Sequence, residues 1–204
     1  MKLRLVLGPL LLLACVLLPG SARADSPVNL ALFDPVQIVP HDQSIKGFRL
    51  NILYGYNQDV LGLDIGIVNR AGGDMRGIQW IGVGWVEGKT EGVQLGYIAN
   101  YTEEDLLGGQ LGIINYAGAE TGISFGFVNW VHTDMMGGQI GALNVAETRV
   151  EGLQLGAVNY APAAGGLQFS LVNVTENLQG VQIGLVNVAK NGFLPVFPIV
   201  NFPK

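Results

Sequence analysis

Apolar residues in this chain alternate with small or polar ones, in short runs that resemble one another. In Gly152-Leu-Gln154-Leu-Gly156-Ala-Val-Asn159-Tyr160-Ala161, apolar residues stand at offsets one, three and five from the leading glycine, separated by Gln and Gly. A period of two predicts a β-strand. Near offset six the apolar set changes phase, which in a strand means a bulge or a corner. Asparagine follows at offset seven, a residue that tolerates left-handed backbone angles and bonds neighbouring peptide groups.

The run recurs. Leading glycines stand at Gly47, Gly62, Gly77, Gly92, Gly108, Gly122, Gly137, Gly152, Gly166 and Gly180, spaced by 14–16 residues. Offset two holds Gln79, Gln94, Gln110, Gln139, Gln154, Gln168 and Gln182, and offset seven holds Asn69, Asn115, Asn129, Asn144, Asn159, Asn173 and Asn187. These are the expected structural residues of the repeat. Two copies depart: one has Ile81 and Gly84 at the inner glycine and asparagine positions, and the next delays its asparagine to Asn100. The tail from Leu194 to Asn201 reads as a last worn copy. Between copies lie charged segments such as Glu103-Glu104-Asp105 and Glu147 to Arg149, expected as turns facing water.

The expected fold is all-β. A parallel β-solenoid, one coil per copy, stacks like residues on like and explains why each offset keeps its residue type. The alternative is an antiparallel meander closing as an outer-membrane β-barrel, for which short strands, abundant glycine and little charge are suitable. Against the barrel, the connections are all short and no 30-residue super-period separates up-strands from down-strands.

Composition adds an address. Lys2 and Arg4, an apolar run to Leu18, Pro19-Gly20 and Ala22-Arg23-Ala24 have the layout of a secretory signal peptide over residues 1–24. Leu13-Ala14-Cys15 is a faint lipoprotein box, but the chain stays apolar after it. Cleavage after Ala24 removes Cys15, the only cysteine, so no disulfide or thiolate site is expected. Residues 25–46 and 193–204 hold prolines and read as caps on the array at 47–192, since proline withholds a ladder donor. Without Lys2, Arg4 and Arg23, eight basic residues face 16 acidic ones, a net charge of −8. That sign excludes a nucleic-acid partner and disfavours anionic lipid.

The run Gln-x-Gly-x-x-Asn-x-Ala stands intact at Gln139–Ala146, Gln154–Ala161 and Gln182–Ala189. It resembles the curlin repeat of bacterial surface fibres, although a unit of 14–16 residues is shorter than a curlin unit. The tandem units and the Asn191–Pro198 ending are more similar to a family of exported bacterial surface-repeat proteins. That resemblance covers about residues 47–204 and implies a cell-surface, outer-membrane or periplasmic location in a Gram-negative-type bacterium. It implies no settled activity.

Catalytic chemistry is not evident. His41 and His132 lie in expected turns, Ser124 and Ser170 occupy repeat positions, and no spacing supplies converging metal ligands or a phosphate loop. The expectation is a non-enzyme without cofactors. Trp85, Tyr101, Tyr116, Trp130 and Tyr160 share one offset just after the asparagine. In a solenoid they make a stripe, expected as core or corner packing or, more sharply, as a strip binding a protein or glycan. In a barrel they would be an interfacial girdle.

Overall fold

The computed structural model describes residues 25–204; the expected signal peptide and Cys15 lie outside the described residues. The fold is a β-solenoid of about 11 turns. Its strands are β1 (Ser26–Phe33), β2 (Val36–Gln37), β3 (Ile45–Asn57), β4 (Val60–Ala71), β5 (Met75–Val86), β6 (Thr90–Leu111), β7 (Ile114–Phe125), β8 (Val128–Val131), β9 (Asp134–Ala146), β10 (Arg149–Ala164), β11 (Leu167–Leu178), β12 (Val181–Ala189) and β13 (Val196–Asn201). From β1 and β3 through to β12, neighbours pair in parallel. The antiparallel barrel is therefore overturned: each strand winds around a coil and meets the next coil in the same direction.

Register follows the repeat. Gly62 lies beside Gly77, Gln154 beside Gln168, and Asn159 beside Asn173. Side chains at offsets two, seven and nine point inward and are buried, as Gln154, Asn159 and Ala161 show. The residue two before each leading glycine is also inward, giving Val60, Met75, Leu106, Met135, Val150 and Leu178 to the small apolar core. Within one coil Gln110 Nε2 donates to the Tyr116 carbonyl and Gln182 Nε2 to the Val188 carbonyl. Offsets one to four and six to nine are thus two walls facing each other across the interior, joined by a bend at offsets four to six.

The leading glycines mark a tight approach between coils. Gly152 has φ +142°, and a Cβ there would strike the Gly137 carbonyl oxygen of the preceding coil. The inner glycine at offset four has a different reason. A Cβ on Gly96 would collide with the Asn100 amide, so the glycine makes room for the asparagine. Where the asparagine is missing, the pair is exchanged: Ile81 fills the space beside Gly84, and in the first full coil the Asn51 amide fills the space beside Gly55. The two departures thus keep one side chain and one glycine at the bend.

Both ends turn back. β2 pairs antiparallel with β1, and β13 pairs antiparallel with β12. The tail from Leu194 to Asn201 is therefore a reversed cap rather than a worn copy. The reversal follows a turn closed by the Gly192 N–H on the Ala189 carbonyl. Residues 26–33 of the expected N-terminal cap join the stack as a parallel strand, and only β2 reverses.

Candidate interaction surface

The asparagines form a directed ladder. Asn100, Asn115, Asn129, Asn144, Asn159 and Asn173 each donate to the Oδ1 of the next asparagine at 2.8–3.0 Å, ending on Asn187. The same amides donate to the offset-three carbonyl of the next coil, as Asn129 does to Ile140 and Asn173 to Ile183, both at 3.0 Å. Asn69 instead donates to Asp64 and accepts from Asn51. Gly84 breaks the ladder between Asn69 and Asn100.

The glutamines run the other way. Gln94 donates to Gln79, Gln110 to Gln94, Gln154 to Gln139, Gln168 to Gln154 and Gln182 to Gln168, at 2.7–2.9 Å. Replacing Asn159 with alanine leaves the Asn144 amide only the Leu155 carbonyl as a close acceptor and removes donors from the Phe169 and Gln154 carbonyls and from Asn173 Oδ1. We expect a loss of about 1–3 kcal/mol in chemical denaturation; a neutral result would contradict the ladder's role.

Two features of this interior were missed in the sequence. Arg49 and Asp64 occupy offset two in the first two full coils and are fully buried. Arg49 Nε and Nη2 meet the two Asp64 oxygens at 2.7 Å each. Asp64 also accepts from Asn69 and Gln79, both at 2.8 Å, so it begins the glutamine ladder. The signal available was their 15-residue separation at the glutamine offset. The second feature is Glu120, buried at the position two before Gly122, where other coils place an apolar residue or, in one, Thr90. It accepts from Ser124 at 2.8 Å, which stands where glutamine is expected, so the large and small residues are again exchanged. Burial pushes the Glu120 carboxyl up to about 7, against the Ser124 hydrogen bond and the nearby Gln139 amide.

With amides inside, the apolar residues of the repeat face outward. No charged residue stands at offsets one, three, five or six of any coil from Gly47 to Gly180. Many of these side chains are exposed: Ile113 is 55%, Phe127 66% and Leu185 69% accessible. Four coils share an apolar groove of about 550 Å³ between Leu95, Leu111, Phe125 and Ile140, floored by the inner glycines. At about 4.8 Å per coil, ten coils make an apolar strip roughly 50 Å long. That exceeds what a soluble monomer ordinarily leaves in water.

The five aromatics lie on this outer surface, so core packing is overturned for them; they are half-buried to exposed because offset eight points away from the interior. Pairing makes one row of Tyr56, Arg70, Trp85, Tyr101, Tyr116, Trp130, Val145 and Tyr160. Tyr101 and Tyr116 stack at 4.6 Å, and Trp85 lies 4.7 Å from Tyr101. Arg70 sits 5.5 Å from the Tyr56 and Trp85 rings and bonds Glu87. Desolvation raises the Tyr101 and Tyr116 hydroxyls above their ordinary range. Val145 interrupts the row, so Tyr160 stands apart. Charge gathers beyond offset nine: Glu103, Glu104, His132, Glu147, Arg149 and Glu176 are all exposed or at the rim, and His132 pairs with Glu147 at 2.8 Å. His41 is exposed, 3.7 Å from Asp34. Among the described residues, no group of three His, Cys, Asp or Glu is placed to hold a metal.

Comparison of the chain with protein families, curated proteins and solved structures finds no match.

Proposed function

We propose that this protein is a non-enzymatic, exported repeat protein of a bacterial envelope, at the cell surface, outer membrane or periplasm, and that it works by binding through its apolar outer face. One observation carries the reading: one wall, the bend and the start of the opposite wall present apolar side chains outward along the whole array, with no charge at offsets one, three, five or six. Water does not tolerate such a strip for long without association. The signal-like segment at residues 1–24 and the resemblance to exported surface-repeat proteins support the address.

The test is fractionation of the full chain produced in a Gram-negative host. Wild type is expected with the envelope. A variant carrying Ile113→Glu and Leu171→Glu is expected in the soluble extract, still β-rich by circular dichroism. Wild type found as a free soluble monomer would sink the proposal. A second reading places a glycan on the Trp85–Tyr101–Tyr116 row, favoured by its stacked rings. It requires soluble oligosaccharide to change Trp85 fluorescence.

A further inference from the structure

We infer that the apolar edge of the solenoid is embedded in a lipid leaflet, with the coil axis lying in the membrane plane. This rests on the reading of the apolar face as an interface and names what covers it.

Shape excludes a flat partner. The apolar surface covers the outside of one wall at offsets one and three, the bend at five and six, and the start of the opposite wall. A second copy of the chain laid against one wall leaves the bend and the other wall in water. A fluid apolar phase covers all three at once. It also accommodates the uneven relief along offset one, where the large side chains of Phe48 to Val93 give way to Gly109 and Gly138 on either side of Ile123.

The bend's backbone is satisfied from within, which hydrocarbon requires. Phe127 and Val128 N–H groups both donate to the Ile113 carbonyl, and the Gly126 N–H donates to the Ile140 carbonyl. The Asn129 amide adds a second donor to Ile140. The asparagine ladder thus supplies, from the interior, hydrogen bonds that water would supply to a bend in an ordinary soluble protein. Among the described residues, open sheet edges occur only at the ends of the stack, where β2 and β13 turn back.

Polarity around the coil is graded as a membrane interface is. Aliphatics and phenylalanines fill the bend apart from Tyr97, whose hydroxyl accepts from Trp80 Nε1; Trp85, Tyr101, Tyr116, Trp130 and Tyr160 stand with Arg70 in the row after the asparagine; the other outward charged side chains follow beyond offset nine. Trp and Tyr prefer the headgroup level, between hydrocarbon and water. The surplus of acidic residues opposes anionic lipid, so the attraction is apolar and the expected lipid is zwitterionic.

The experiment uses full chain extracted from the envelope in detergent, then dialysed with or without phosphatidylcholine vesicles. Expected results are co-flotation with the vesicles, equal at low and high salt. The three tryptophans serve as depth markers, because Trp80 lies at offset three while Trp85 and Trp130 lie in the aromatic row. In single-tryptophan variants, lipid brominated deep in the acyl chain should quench Trp80 more than Trp130. Ile113→Asp with Phe127→Asp should weaken flotation about tenfold or more, as carboxylates are strongly disfavoured in hydrocarbon. A detergent-free dimer that ignores vesicles would overturn the lipid inference while leaving the apolar-interface reading standing. A soluble monomer that ignores vesicles would overturn both. Flotation with equal quenching of Trp80 and Trp130 would also overturn the embedded orientation.

Discussion

Arg49→Leu is expected to destabilise the first coils by about 3–5 kcal/mol, because it leaves the Asp64 carboxylate buried without its countercharge. Both side chains are fully enclosed, and the pair is bidentate. Arg49 Nη1 also donates to the Arg70 carbonyl at 3.0 Å, which the leucine abandons. In a stack of nearest-neighbour units the damage is local. Hydrogen exchange should rise in β3 and β4 and stay low in β9 to β11. Replacing both residues with glutamine is expected to recover most of the loss, since it extends the amide ladder from Gln79 by two coils. If Arg49→Leu changed neither exchange nor the unfolding midpoint, the buried pair would have no part in holding the array's start.

Raising the pH from about 4.5 to about 8 is expected to lower stability by roughly 3 kcal/mol through Glu120 alone. Its carboxyl titrates at about 7 in the fold against an ordinary 4.5, because burial penalises the anion. The folded chain therefore holds the proton more tightly than the unfolded chain. The contribution is complete below the unfolded value and is lost as pH rises through the folded one. Ser124 bonds one oxygen, while Oε2 has no partner, so the ionised form lacks solvation on that side. Glu120→Gln is expected to remove this slope and to be the more stable protein at pH 8. Urea denaturation across that range checks it, and parallel curves for the two proteins would count against the account.

The repeat, its strands and its Gln and Asn positions were legible because stacking puts each offset on itself, and the period survives any choice of facing. Which face looks inward was not legible. Alternation defines two sides without saying which is enclosed, and the usual expectation buries the apolar one. Here a coil of about 15 residues encloses little volume. Flat amides fill it and bond along the stack, so Leu153 and Leu155 are displaced outward, and Trp85 and Tyr116 with them. The compensations at Asn51/Gly55, Ile81/Gly84 and Glu120/Ser124 were hidden for a related reason. Each joins two offsets three or four residues apart that touch only in the folded coil, and an alignment of copies shows them as separate irregularities. The tail at Leu194–Asn201 misled because residue type alone does not carry strand direction.

The opposed directions of the two amide ladders bear on what happens when the number of coils changes. Aligned amide dipoles add along a row, as peptide dipoles do along a helix, and leave partial charges at its ends. The asparagine row points its donors toward the C-terminal cap and the glutamine row toward the N-terminal cap. Their fields largely cancel, so duplicating or deleting one coil leaves the electrostatics at both caps almost unchanged. A coil can therefore be added or removed as a whole unit without redesigning either end.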